Sequence, residues 1–238
     1  MKRGFPWTIV LACTLAVGCG PDADSEGELS VDEQARAAEL LAAFQSASKQ
    51  KNWEVAQVHA ETLRAAFPSS EFAAKLAPTL DAVRAQANQQ RDVRRLRSLW
   101  DYQAVAKGEG VQRTATIYSR TPVVEEGELT IQADAQLVLR DHPAWGRSSY
   151  LLFAQSKFRC SSPCRMDIGV DGGAVQSFAG KQADSGKGPA LFIEDEARFI
   201  ELLSDAREVR IQLPKGSGSA SSLVFEVSGF DAARYLKP

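Results

Sequence analysis

The residues of this chain that could do chemistry are few, and none forms a known catalytic signature. Cys160-Ser-Ser-Pro-Cys164 is the sharpest local feature of the C-terminal half. Thioredoxin-type redox pairs need two intervening residues at a helix start, and here three lie in a strand-rich context. Structural zinc takes four ligands, and beyond the first 19 residues only two thiols and two histidines are on offer. His142 lies in the loop Asp141-His142-Pro143-Ala144-Trp145, but a triad needs its members to meet around an activated nucleophile. No Gly-x-Ser-x-Gly elbow exists to supply one. His59, on a helical stretch, reads as a surface or packed histidine. Gly186-Lys187 has the look of a phosphate loop, yet Gly188 stands where a magnesium-binding Ser or Thr belongs, and Pro189 and a strand follow where a helix should receive the phosphate. Ser46-Ala-Ser-Lys49 has the spacing of a β-lactamase nucleophile motif but ends a small helix. The expectation is a protein that is not an enzyme, with no catalytic residues, no metal and no cofactor. A hydrolase of unfamiliar type is the alternative that a role for His142 would bring.

The residue with the clearest chemistry is Cys19. Met1-Lys2-Arg3 is a basic start, Trp7 to Val17 is apolar save Thr8 and Thr14, and Ala16-Val17-Gly18-Cys19 follows. The apolar run falls short of the ~20 residues that span a bilayer. A basic start, a short apolar run and small residues before a cut form the layout of a secretory signal. Leu15-Ala16-Val17-Gly18-Cys19 resembles the lipobox of bacterial lipoproteins, with Ala16 in the usual Leu place. The resemblance implies a signal peptide over 1–18, cleavage before Cys19, a diacylglyceryl group on its sulfur and a further acyl chain, such as palmitate, on the new amino terminus. Several chains on one residue hold firmly, since each buried CH₂ contributes about 0.8 kcal/mol. Gly20 occupies the place where Asp retains such proteins in the inner membrane, so the outer membrane, facing the periplasm, is favoured. In that oxidising compartment Cys160 and Cys164 are expected to pair as a structural disulfide.

Removing 18 residues from 238 leaves 220, enough for one large or two modest domains. Losing Lys2 and Arg3 with the leader takes the formal charge from −2 to about −4, which leaves no electrostatic footprint for nucleic acid. Hydrophobic content of 44% and charged content of 24% are those of an ordinary globular protein. Residues 19–30 are acidic and turn-rich and read as a flexible tether reaching roughly 20 Å.

Helical signals fill 31–98. Ser30-Val31-Asp32-Glu33 is a capping box, which predicts a helix from Val31 to Lys49 with Leu40, Phe44 and Ala47 on one face. Asn52 can cap a second helix from Trp53 to Phe67, its stripe running through Trp53, Ala56, Ala60, Leu63 and Phe67. Pro68 ends it and Ser69 can cap a third, striped by Phe72, Leu76, Leu80 and Val83, with Pro78 predicted to kink or split it. Trp53, Ala56 and Phe67-Pro68-Ser69-Ser70 resemble a tetratricopeptide repeat, although Phe44 stands where Gly or Ala is usual. About one and a half repeats cover 33–83, fewer than a solenoid needs by itself. Arg91, Arg94, Arg95 and Arg97 follow on a polar stretch, expected to be a solvated helix face; a patch that contacts a partner is the alternative.

From Trp100 the period changes to two. Odd positions from Leu129 to Leu139, then Met166-Ile168-Val170, Val209-Ile211-Leu213 and Leu223-Phe225-Val227, are apolar. Tyr150 to Ala154 suits a central strand. Asp171-Gly172-Gly173 is a hairpin signal, Asp195 to Asp205 a short amphipathic helix, and Phe230 to Leu236 another. Together these predict an α+β protein whose residues 99–238 form an antiparallel β-sandwich. Leu137-Val138-Leu139-Arg140, Asp171-Gly172, the 199–203 helix and Phe225-Glu226-Val227-Ser228-Gly229-Phe230 loosely resemble the β-domain of lipoproteins associated with type VI secretion; Asp141 stands where those proteins usually carry Cys. Trp145 is a candidate contact for sugar or protein, with a buried plug as the plainer role. The Gly-rich stretches 179–189 and 216–222 read as connecting or recognition loops.

The expected function is that of a lipid-anchored envelope protein joined to the membrane through Cys19, a scaffold or accessory that binds another envelope protein. A β-sandwich that binds carbohydrate or peptidoglycan is the alternative.

Overall fold

The structure is a computed structural model that describes residues 29–125, 128–132, 135–153, 160, 163–182, 189–213 and 222–235. The leader, Cys19, nearly all of the tether and most of both Gly-rich stretches lie outside the described residues. The chain divides into two compact units after Arg84.

In the first unit, α1 (Val31–Lys49) begins on the predicted capping box. Glu33 N–H donates to Ser30 Oγ at 3.3 Å, and Ser30 N–H donates to the Glu33 carboxylate at 2.9 Å. Two helix-terminal donors are thereby satisfied reciprocally. The chain turns at Lys51, φ 56°, into α2 (Trp53–Ala66). Asn52 holds the cap position but its side chain makes no capping bond. Ser70, rather than Ser69, caps α3 (Glu71–Leu76), with Ala73 N–H donating to its hydroxyl at 3.0 Å. Pro78, lacking an N–H, interrupts the helix as a 3₁₀ turn over Ala77–Thr79 before α4 (Leu80–Ser98). The small residues Ala37 and Ala60 are fully buried with Leu63, Leu76 and Leu80, and Leu40, Phe44 and Phe72 pack around them. Arg84 and Glu61 pair at 3.0 Å.

The second unit holds the end of α4 and all the strands: β1 (Asp101–Lys107), β2 (Gly110–Tyr118), β3 (Thr121–Glu125), β4 (Glu128–Gln132), β5 (Ala135–His142), β6 (Gly146–Phe153), β7 (Cys164–Val170), β8 (Val175–Gln182), β9 (Ala190–Ile193), β10 (Glu208–Gln212) and β11 (Ser222–Glu226), with α5 (Glu196–Ser204) and α6 (Ala232–Tyr235). Nine strands form one antiparallel sheet in the order β1-β2-β5-β6-β9-β8-β7-β10-β11, and β3 with β4 forms a separate ribbon. Where the sequence predicts two sheets face to face, the described strands thus make a single sheet and a small ribbon. The long alternating run 129–139 resolves into two strands that belong to different sheets.

This sheet bends. Laid flat, β2 and β11 would stand seven spacings apart, about 34 Å at about 4.8 Å each. Instead Arg120 N–H, just past β2, donates to Val224 C=O at 2.7 Å, and Val224 N–H donates to Thr121 Oγ1 at 3.3 Å. One face turns inward around a core of Leu137, Leu139, Leu151, Ile168, Ile211 and Phe225, and α5 and α6 add Phe199, Leu203 and Tyr235 to it.

Asp171 and Gly172, φ 50° and 71°, turn β7 into β8. Positive φ at both central positions matches the twist of a two-residue hairpin. The Asp171 carboxylate then accepts from Arg207 N–H at 3.0 Å and Glu208 N–H at 2.8 Å, pinning the start of β10 to the same turn. Cys160 and Cys164 are disulfide-bonded, which closes a ring too small to restrict the unfolded chain by more than about 2 kcal/mol.

Candidate functional site

Of the residues singled out from sequence, Trp145 has the most telling position. It sits in the loop from β5 to β6 and is 72% exposed. A buried plug is therefore not its role. Its ring lies on that of His142, centroids 3.9 Å apart and planes within 11°. His142 is buried, and its Nδ1 accepts from Ala144 N–H at 3.1 Å. Loop, imidazole and indole are thus fixed together, with one indole face backed and the other open to water.

The strands beneath extend this surface. Register alternates sides, so the residues between the core positions Leu137, Leu139, Leu151, Leu191 and Ile193 face outward. Val138, Tyr150, Phe192 and Lys181 stand directly opposite one another across β5, β6, β9 and β8. Tyr150 and Phe192 are half-buried, with ring centroids 5.1 Å apart. Arg140, one outward position along β5 from Val138, places its guanidinium 5.5 Å from the centroids of both Trp145 and Tyr150. Such cation–π geometry holds an arginine over aromatic faces without a carboxylate. Arg140 Nε and Ser148 Oγ, on cross-strand partners, are buried without a hydrogen-bond partner among the described residues.

A cleft of about 470 Å³ borders this face, lined by Arg147, Ser148, Lys181, Phe192, Glu194 and Glu196 among others. Asp195, φ 62°, caps α5 there by accepting from Arg198 N–H at 3.4 Å. Among the described residues one Glu196 oxygen is buried without a hydrogen-bond partner, as is the hydroxyl of fully buried Tyr235. Burial raises the Glu196 carboxyl above its usual range; Arg147 draws it back and Asp141 adds to the rise. Burial likewise pushes the Tyr235 phenol up, with Glu196 and Asp141 contributing.

A stability profile follows. Folded Glu196 keeps its proton to higher pH than the unfolded chain would, so the native state binds more protons in that window. Stability therefore declines as pH rises from the ordinary carboxylate range through the folded titration. Glu196→Gln is expected to flatten this decline and to raise stability at neutral pH, measured as urea midpoints at about pH 4 and about pH 7. An unchanged difference between the two midpoints would remove Glu196 from the account.

The arginines of α4 are occupied to differing degrees. Arg95 pairs with Glu226 at 2.8 Å and Asp92 at 2.9 Å, and Arg120 joins the same Glu226 at 3.0 Å. These bonds hold the Arg95 proton more firmly than usual. The Arg91 guanidinium donates to Asn88. Arg94 and Arg97 are exposed. His59 is far from the indole surface in sequence and lies in the other unit. Among the described residues no group of three or more His, Cys, Asp and Glu is placed to hold a metal ion, and no helix is long and apolar enough to cross a membrane.

Sequence reasoning picks out Trp145 but not its companions. Arg140 reads only as the end of a strand and Tyr150 only as the start of a central one, and nothing marks Phe192. Their meeting depends on register across three strands, which leaves no local mark. Comparison with known proteins adds no relative: no family model, no curated protein and no solved structure matches the chain.

Proposed function

We propose that this protein is a lipid-anchored binding module of the cell envelope, an accessory or scaffold that works without catalysis. Its basic start, short apolar run and Cys19 support the anchor, with the outer membrane as destination. The observation that carries the binding reading is the indole of Trp145, fixed on His142 with one face open to solvent. An exposed tryptophan is an unfavourable use of apolar area unless something covers it, and aromatic residues of this kind dominate recognition surfaces. In this reading the helices act as a tetratricopeptide-like pair offering a groove to a protein partner, and the strands serve as a sandwich domain does, presenting an outward face for recognition. The carbohydrate reading is favoured by the flatness of the indole surface.

Two variants test this. Cys19→Ser is expected to move the full chain from the membrane pellet to the soluble extract, with loss of the acyl mass from its amino terminus. Trp145→Ala is expected to reduce capture of envelope material by at least about tenfold, the range of one binding hot spot. Equal capture by the variant would remove Trp145 from the interface.

A further inference from the structure

The outward face of β5, β6, β9 and β8 can be read further. At their outward positions these strands carry the cations Arg140 and Lys181: Gln136, Val138, Arg140 and His142 on β5, Ser148, Tyr150 and Leu152 on β6, Ala190 and Phe192 on β9, Ser177, Ala179 and Lys181 on β8, with Glu194, just past β9 and opposite Ala179, as the one carboxylate in line with them. The wider chain is mildly acidic, so this face departs from the average. Charge sits at the two ends of an aromatic row, and three strand spacings, about 14 Å, separate β5 from β8.

We propose that this face binds a carboxylate-bearing saccharide chain, with Trp145, Tyr150 and Phe192 stacking on sugar rings and Arg140 and Lys181 meeting the acid groups. The proposal rests on the binding role of the Trp145 surface and names its ligand. Four observations choose this occupant. The open indole face is flat and rigidly backed, which suits the apolar C–H face of a pyranose against an electron-rich ring. Tyr150 and Phe192 continue the row at half-burial rather than forming the deep, dry pocket that protein hot spots fill. One guanidinium, that of Arg140, stands 5.5 Å from the centroids of both Trp145 and Tyr150, so a positive charge sits beside the stacking row. Finally, β5, β6 and β9 are each paired on both sides, so an extended peptide cannot join by backbone pairing. Recognition there falls to outward side chains alone.

The test uses the full chain in detergent micelles, titrated with oligouronate, with neutral dextran oligosaccharide and with oligoglutamate of similar charge. Tryptophan fluorescence is the readout, compared with that of Trp145→Phe so that the signal of exposed Trp145 is separated from those of partly buried Trp53 and buried Trp100. Oligouronate is expected to shift the emission saturably and to bind at least tenfold tighter than either control. Added salt should weaken it, as exposed charges are screened over about 10 Å at 0.1 M. Arg140→Gln and Lys181→Gln should each lower affinity about tenfold, and Trp145→Phe should retain more binding than Trp145→Ala. Circular dichroism confirms that each variant is folded, and Lys181→Gln, at an exposed position, stands in if Arg140→Gln is not. Equal binding of dextran would overturn the ionic part, equal binding of oligoglutamate would overturn the saccharide part, and no oligouronate binding would overturn the whole. If oligouronate fails while capture of envelope material still depends on Trp145, the ligand class falls and the binding role stands.

Discussion

Gly229→Val is expected to destabilise the second unit by about 3 kcal/mol, the upper end of what overpacking does. A Cβ at Gly229 would overlap the Leu96 carbonyl and stand 2.6 Å from the Arg97 backbone nitrogen. Its neighbours there are helix backbone, which cannot swing aside as a side chain would. Nearby contacts tie the same corner: Trp100 Nε1–H donates to Val227 C=O at 3.3 Å, and Arg95 pairs with Glu226. The variant should therefore push the last turn of α4 off the strand end and loosen the Arg95–Glu226–Arg120 network with it. Thermal denaturation is the check, with a fall of roughly 6–12 °C for a domain of this size. A melting point within a degree of the parent would show that the corner yields.

The second large effect is Phe199→Ala, expected to remove about 3–5 kcal/mol as a buried aromatic is truncated. Phe199 is fully buried and meets Phe178 edge-on, centroids 6.0 Å apart. The Arg198 guanidinium lies over the Phe178 ring, 3.8 Å from its centroid, and also donates to Ser177 C=O at 2.7 Å. α5 is thus held by one aromatic plug and one arginine clamp. Losing the plug frees the helix that carries Glu196 and the adjoining cleft wall, so the pH dependence assigned to Glu196 should shrink together with stability. Phe199→Leu, which fills much of the space, is expected to lose less than half as much. Urea denaturation of the pair of variants separates packing from any effect of the ring itself.

How far the sequence reveals this molecule depends on what each signal reports. Capping and proline act locally, so α1 runs over the predicted Val31–Lys49 and Pro78 breaks the third helix where expected. Alternation reports that one side of a strand is buried, and it identifies β7, β10 and β11 well. It does not report which strand lies beside which, so a single bent sheet and a sandwich have the same trace in sequence. β1 escapes altogether because nearly every residue from Asp101 to Lys107 is exposed, and no apolar period can appear. The same limit governs the site. Trp145 is visible as a tryptophan in a loop, but Arg140 under it, Phe192 beside Tyr150, and Glu226 opposite Arg95 at a separation of 131 residues are joined only by tertiary register. Tyr235 and Glu196 give no sign at all, since an orphaned hydroxyl is a property of surroundings.

The contacts from Arg120 and Thr121 to Val224 carry a consequence for how the molecule is made. Thr121 and Val224 are 103 residues apart, and the strands between them must all be in register before the two can meet. Loop closure over such distances comes before any reward, which places this topology among slow folders. A nascent chain lacking residues beyond Gln212 would hold β10 paired only with β7, its other edge open, and an unmet end of β2, both able to capture neighbouring chains. The last strand therefore closes the sheet late, and the open edge of β10 stays exposed until it is made.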